Sequence, residues 1–197
     1  MLKRIFDLTG SFLGLIILSP LFIFFGLLIK LLMPGPIFFS QVRIGRNGKE
    51  FIILKFRTMT VKKMSSAGSF DPGDRSRITS LGKILRRYKI DEIPQLINVL
   101  KGDMSLVGPR PEVRKWTEVY PEKWAIAHSV RPGMTGLDSI VFRNEEDYLS
   151  KSSNPDESYS DFILPRKLDL YIYYTKNRTF FGDIMIIFRT IRSVLFK

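Results

Sequence analysis

Residues 11–29 read SFLGLIILSPLFIFFGLLI, 19 residues without a charge, bounded by Lys3 and Arg4 on one side and Lys30 on the other. A straight helix of that length extends roughly 28 Å at about 1.5 Å per residue, close to the ~30 Å hydrocarbon core of a bilayer. The stretch is therefore a membrane segment, and a spanning helix is its first reading. Two features favour another. Ser19-Pro20 stands at the middle, where proline removes a backbone donor and clashes with the preceding turn, so a sharp bend is expected and each half reaches only about one leaflet. Cations also flank both ends, which leaves the positive-inside rule no asymmetry. A re-entrant helix-break-helix hairpin over residues 1–36, with both ends on the cytoplasmic side, is expected in preference to a bitopic span. A signal peptide is the rival suggested by Lys3-Arg4. No small-x-small cleavage site follows, only Met33-Pro34-Gly35-Pro36, and the segment is expected to be retained.

Beyond Pro36, Ile37–Ile44 and about Phe51–Met59 alternate as strands, and Asn47-Gly48 between them suits a hairpin turn with positive φ. Thr60–Asp74 is rich in Ser, Gly, Asp and Lys and reads as a mobile loop. Leu81, Ile84, Leu85 and Tyr88 recur at helical spacing, and a second helix is expected from Glu92 to Leu100, stopped by Gly102. Further helices are expected near Val113–His128 and Leu164–Asn177. In Gly182–Lys197 the residues Ile184, Ile187, Phe188, Ile191, Val194 and Leu195 share one stripe and Arg189, Arg192 and Lys197 lie off it. That amphipathic helix either covers the core or lies in the membrane interface. The fold class is α+β and mostly helical, with residues 37–197 forming a catalytic domain.

The composition limits the chemistry. Among 197 residues there is no cysteine and one histidine, His128, which excludes disulfides, thiolate metal sites, a thiol nucleophile and multi-histidine metal sites. Lys and Arg number 31 against 19 Asp and Glu, a net charge of +12, so the surface is basic and fits anionic lipid, a phosphorylated substrate or nucleic acid. The charges are segregated. Residues 41–63 hold seven cations and one anion, whereas residues 145–161 hold six anions and one cation. No nucleic-acid motif appears, and the aromatics lie in apolar runs rather than among the arginines, so nucleic acid ranks last.

Two clusters can carry chemistry without histidine. In Arg86-Arg87-Tyr88-Lys89-Ile90-Asp91-Glu92-Ile93-Pro94-Gln95, Asp91 makes a good N-cap, with Glu92 and Pro94 suited to a first helical turn. The same carboxylates among cations can also serve as a nucleophile toward phosphorus and a ligand for Mg²⁺, which needs only one or two protein carboxylates. Adjacent helical residues point about 100° apart, so the two would not duplicate one role. In Lys101-Gly102-Asp103-Met104-Ser105-Leu106-Val107-Gly108-Pro109-Arg110-Pro111, prolines on both sides of Arg110 make either a rigid turn or a preset guanidinium for phosphate. Arg131-Pro132-Gly133 repeats the idea.

Lys3-Arg4-Ile5-Phe6-Asp7, the Ser19-Pro20 break, Lys55-Phe56-Arg57-Thr58-Met59, Asp91 to Ser105, Gly108-Pro109-Arg110-Pro111 and Val130-Arg131-Pro132-Gly133 together resemble the small monotopic phosphoglycosyl transferases of bacteria. The resemblance covers nearly the whole chain. It implies transfer of a sugar-1-phosphate from a UDP-sugar to polyprenyl (undecaprenyl) phosphate with release of UMP, at the cytoplasmic face of the inner membrane, in contact with phospholipids. It further implies that Asp91 is the nucleophile, Glu92 the Mg²⁺ ligand, and Arg86 and Arg110 the groups that hold diphosphate and nucleotide. Lys55, Asp103, Arg131, Arg143 and Asp169 match further active-site positions, with Asp169 expected to orient an arginine. After Gly136 the family commonly reads Trp-Ala-Gln-Val-Asn-Gly-Arg-Asn. Here Leu137-Asp138-Ser139-Ile140-Val141-Phe142-Arg143-Asn144 stands in its place, so no particular sugar is assigned. The alternatives are Asp91 as a general base in a ternary complex, and a non-catalytic scaffold on anionic lipid.

Overall fold

A computed structural model describes residues 2–61 and 76–196, with the backbone alone at Glu146 and Leu195. From residue 62 on, the loop expected over Thr60–Asp74 lies outside the described residues, as does the Leu195 side chain.

Helix α1 (Leu2–Leu32) runs as one helix with Pro20 inside it; the expected division into two helices at Ser19-Pro20 is not seen. The reason is local. Pro20 has no N–H to offer the Ile16 carbonyl four residues back, and the Ser19 hydroxyl donates to that oxygen instead at 2.7 Å, so the gap in the ladder is filled from within the helix.

One face of α1 packs on the protein along its length. Asp7, Ser11, Gly26 and Ile29 are buried, Gly14 faces Leu96, Phe22 meets the rings of Phe38 and Phe56, and Met33, just past its end, is buried too. Steps of three and four residues put these on one stripe. Elsewhere on the helix Ile5, Phe12, Ile16, Ile23, Leu27 and Leu31 are exposed. The N-terminal end is fastened by polar groups. Lys3 pairs with Asp183 at 2.5 Å and Arg4 donates to the Val99 and Leu100 carbonyls. Buried Asp7 accepts from the Ser105 hydroxyl at 2.8 Å and the Leu106 N–H at 3.1 Å. Lys3 and Arg4, the cations expected at the membrane, thus also bind the protein.

Strands β1 (Phe38–Ile44) and β2 (Glu50–Phe56) pair antiparallel from Phe38↔Phe56 to Ile44↔Glu50. The turn between them puts Asn47 at φ 57° and Gly48 at φ 72°, the positive values expected of this dipeptide. β2 ends at Phe56, and Met59 only bridges to Ile78. Helix α2 (Ser80–Arg87) is capped by Thr79, whose hydroxyl accepts from the Gly82 N–H. A Cβ on Gly82 would stand 2.0 Å from the Thr58 carbonyl oxygen, so only glycine lets α2 lie this close to the chain leaving β2.

After α2 the chain turns through Lys89 at φ 56° into a 3₁₀ turn, Ile90–Glu92, before α3 (Gln95–Lys101). α3 starts three residues later than expected because Pro94, with its fixed φ, sets the entry. It ends at Gly102, which takes φ 96° and returns its N–H to the Asn98 and Val99 carbonyls. Asn98 joins α3 to the hairpin, donating to the Ile52 carbonyl at 2.7 Å and accepting from the Leu54 N–H at 3.0 Å.

The remainder comprises β3 (Ser105–Val107), α4 (Arg114–Thr117), α5 (Pro121–Ala127), β4 (Gly133–Thr135), α6 (Leu137–Val141), α7 (Glu145–Leu149), α8 (Pro155–Ser158), α9 (Leu164–Asn177) and α10 (Phe180–Leu195). β3 and β4 pair in parallel. Trp116, Trp124, Tyr159, Leu164, Leu168 and Tyr171 form the largest core cluster. α10 buries Asp183 and Ile186 and leaves Phe181, Met185, Phe188 and Ile191 exposed.

Candidate active site

Asp91 and Glu92 lie in the 3₁₀ turn, and Asp91 does not cap α3 as the sequence suggested. Both are buried, at 7% and 9% exposure, a costly place for two carboxylates without partners. Their surroundings differ. Glu92 Oε1 accepts from Lys55 Nζ at 2.8 Å and from the Arg110 guanidinium. Asp91 Oδ1 has no hydrogen-bond partner among the described residues.

Electrostatics separates the pair further. Burial alone would raise Glu92, but Arg110 and Lys55 overrule it and hold its carboxyl well below the ordinary range. Burial raises Asp91, and Glu92 beside it adds to the rise against the pull of Lys55, Lys89 and Arg86. Glu92 in turn keeps Arg110 firmly protonated. Lys55 is lowered by burial, with Glu92 opposing the change. Arg86 donates from Nε to the Thr58 hydroxyl at 3.0 Å, which fixes it between the hairpin and α2. The structure therefore brings together Lys55, Arg86, Asp91, Glu92 and Arg110, supplied by β2, α2, the 3₁₀ turn and the loop after β3.

Pro109 and Pro111 hold that loop. The Pro109 carbonyl accepts from the Gly133 N–H at 2.9 Å and the Pro111 carbonyl from Arg43 at 3.3 Å. Other expected positions lie elsewhere. Arg131 donates from Nε to the Gly102 carbonyl at 2.8 Å, and with Asp103 it lines a cleft beside Arg46 that includes neither Asp91 nor Glu92. Asp103 accepts from Asn98 at 3.3 Å. Arg143 is half-buried just beyond α6. Among the described residues Asp169 pairs with a lysine and with no arginine. It is 66% exposed and pairs with Lys123 at 2.7 Å, because its place on α9 faces solvent while Leu168 and Tyr171 face the core.

A buried charge network behind Arg110 was not anticipated. Glu112 pairs with Arg43 at 3.1 Å and accepts from the Tyr159 hydroxyl at 2.6 Å. Lys167 lies 3.6 Å from Glu112 and 3.1 Å from Glu145. Burial pushes Lys167 down, yet Glu145 and Glu112 outweigh it and leave it raised. The signal was present in the spacing: Leu164, Lys167, Leu168 and Tyr171 form one helical stripe, with a lysine inside an otherwise apolar row. The acidic stretch 145–161 is part of this arrangement through Glu145 and Tyr159.

Among the described residues, no group of three or more Asp, Glu or His side chains is placed to hold a metal ion. What the arrangement offers is a pair of unlike carboxylates, one neutralised by cations and one whose Oδ1 has no partner among the described residues, ringed by lysine and arginine. Such a site suits an anionic, phosphorylated substrate.

Comparison with known proteins agrees. The whole chain, residues 1–197, matches the family described as bacterial sugar transferase. It is 41% identical over 194 residues to the uncharacterized sugar transferase EpsL of Bacillus subtilis, covering 98% of this chain and 87% of that one. It is 35% identical to the UDP-N-acetylgalactosamine-undecaprenyl-phosphate N-acetylgalactosaminephosphotransferase of Aeromonas hydrophila, covering 98% of this chain and 44% of that one. To the UDP-glucose:undecaprenyl-phosphate glucose-1-phosphate transferase of Escherichia coli it is 36% identical, covering 97% of this chain and 39% of that one. The chain thus spans less than half of these last two relatives. The family match extends over residues 1–197, which include every element that builds the Asp91–Glu92 site, and the chain belongs to the bacterial sugar transferase family.

Proposed function

We propose that the protein moves a sugar-1-phosphate from a UDP-sugar to undecaprenyl phosphate and releases UMP, starting the synthesis of a bacterial surface glycan. The observation that carries this reading is the contrast between Asp91, buried with Oδ1 unpartnered, and Glu92, neutralised by Lys55 and Arg110. An Asp91 carboxylate oxygen attacks the β-phosphorus. The bond from that phosphorus to the bridging oxygen breaks, and UMP departs with the electron pair, leaving a phosphosugar-aspartyl intermediate. An oxygen of undecaprenyl phosphate then attacks the same phosphorus and Asp91 leaves as the carboxylate. Arg86, Lys55 and Arg110 supply the cations that bind the diphosphate oxygens.

Mg²⁺ fits the pair, since the unpartnered Asp91 Oδ1 beside Glu92 presents hard oxygen donors whose joint ionisation a cation relieves. Glu92 would hold it. When bound, the ion would neutralise charge developing on the UMP leaving group.

The membrane part of the reading rests on α1, the helix long and apolar enough to cross a membrane by length and composition. Both its ends touch the same body: Asp7 is bonded to β3, while Ile29 packs with Phe56 and Leu85. A helix crossing the bilayer would carry one end away from that body. The contacts support a monotopic arrangement with the exposed faces of α1 and α10 toward lipid, and the proposed reading sets it at the cytoplasmic face of the inner membrane.

The test is to incubate the protein with Mg²⁺ and a UDP-sugar radiolabelled in the β-phosphate, without lipid acceptor. Label retained on the protein and absent in Asp91→Asn is the expected result. UMP release that strictly requires the acceptor, with no labelled protein, would favour a ternary complex instead.

A further inference from the structure

Two adjoining clefts, each of about 330 Å³, open between the start of α1, the hairpin turn, the chain before β4 and the start of α10. They share Arg46 and Arg131, and the second is also lined by Lys3, Arg4 and Arg178. Its carboxylates are already satisfied. Asp7 accepts from Ser105 and Leu106, and Asp183 accepts from Lys3 and the Tyr174 hydroxyl. Among the described residues no carboxylate forms an ion pair with Arg4, Arg46, Arg131 or Arg178.

Part of this charge has a structural use. Arg4 and Arg131 donate to carbonyls at the end of α3, at Val99, Leu100 and Gly102, where cations complement the helix dipole. That use is incomplete, because Arg131 commits only Nε and keeps its terminal N–H groups. Arg46 and Arg178 are exposed and make no such bond. Burial lowers Arg131, and Arg4 and Arg46 lower it further. Guanidiniums that repel one another beside a cleft are positioned for an anion from outside the chain.

The neighbourhood says which anion. Phe6 on α1 and Phe180 on α10 join the two helices edge to face, with ring centroids 5.3 Å apart. Around that joint Leu2, Ile5 and Phe181 are exposed, Phe181 at 80%. A basic cleft at the rim of an apolar surface matches a molecule with a phosphate at one end and hydrocarbon at the other. We propose that the cleft formed by Arg4, Arg46, Arg131 and Arg178 holds the phosphate of an anionic phospholipid headgroup. The ligand seats the end of the protein where α1 and α10 meet. It is separate from the Asp91–Glu92 site, whose residues line neither cleft. The inference rests on the membrane part of the proposed function and not on the transfer chemistry.

The test titrates short-chain phosphatidylglycerol into the full-length protein in neutral detergent. Saturable binding of one lipid per chain is expected, and Arg46→Gln/Arg178→Gln should weaken it roughly thirtyfold, on the scale of two cations at an anionic surface. Lys151→Gln/Arg166→Gln, which removes the same charge elsewhere, should bind as wild type. Equal weakening by both double variants would reduce the effect to bulk charge and overturn the site. Effective competition by inorganic phosphate would assign the cleft to free phosphate, and equal binding of phosphatidylcholine would show that the cleft does not select an anionic headgroup; either result overturns the proposal. Sugar-phosphate transfer in the same detergent is the separate readout. Lipid binding by a wild type that transfers no sugar supports this site while sinking the transfer reading.

Discussion

Lys55 donates from Nζ to Glu92 Oε1 at 2.8 Å, and Arg110 donates to the same oxygen atom. One carboxylate oxygen therefore holds two cations in a buried site, and its charge matters to both. Glu92→Gln keeps an acceptor but leaves Lys55 and Arg110 without their counter-charge. Removing one partner of a buried pair costs about 3–5 kcal/mol, so a clear fall in the urea unfolding midpoint is expected. UMP release should fall about 10–100-fold, the range for losing a group that orders a metal site, and its dependence on Mg²⁺ concentration should weaken.

Asp91 carries the opposite shift. Burial and Glu92 raise its carboxyl above the ordinary 3.8. The nucleophile must be ionised, so the acid limb of kcat/KM for UMP release is expected above that value. The same shift fixes a stability effect. A carboxyl raised in the folded state binds more protons folded than unfolded, so its contribution is fully present below the unfolded pKa and is lost as pH rises through the folded one. Asp91→Asn removes that loss. The variant should unfold at a higher temperature than wild type at neutral pH, and the gap should close as pH falls below 3.8. A variant less stable than wild type at neutral pH would show that the ionised carboxylate is well accommodated.

The parts of this protein that were legible in the sequence are those set by local rules. Alternation and Asn47-Gly48 specify the hairpin, Gly102 ends α3, and the run 11–29 marks the apolar helix. Asp91, Glu92 and Arg110 stand out along the chain by their charged or proline neighbours, their roles follow only from the family resemblance, and the fold brings them to one place. What could not be read depends on which surfaces meet. Nothing near Asp169 says that it faces solvent beside Lys123, and nothing near Lys167 says that Glu112 and Glu145 converge on it. Continuity of the helix through Ser19-Pro20 has a third cause, a side-chain bond: the Ser19 hydroxyl takes the Ile16 carbonyl that proline leaves without an N–H.

Lys167 provides a test of the buried network. Two acids, Glu112 and Glu145, hold it charged against burial. Lys167→Met removes the cation and strands both acids, so destabilisation of about 3–5 kcal/mol is expected in urea. If the cost comes from the stranded acids, adding Glu145→Gln should restore part of it, because one buried charge is then gone. A double variant no more stable than the single one would place the cost in packing around Leu164, Leu168 and Tyr171 instead.

Ser19 and Pro20 make the membrane reading testable in a chain with no cysteine. Single cysteines placed at Leu2 and at Pro36 should both react with an impermeant reagent from the cytoplasmic side, and labelling from opposite sides would sink the monotopic arrangement. Pro20→Ala supplies the missing N–H to Ile16, releases the Ser19 hydroxyl, and makes the helix a better spanning segment. Inversion of one end is opposed by what holds that end. Leu2 precedes Asp7, whose bonds to Ser105 and Leu106 would have to break and leave a carboxylate to cross the bilayer. Pro20→Ala alone should therefore leave most Leu2 labelling cytoplasmic. Combined with Asp7→Ala, which removes one anchor and one charge while Lys3 stays paired with Asp183 and Arg4 stays bonded to Val99 and Leu100, it should move more of that labelling to the opposite side than Pro20→Ala alone.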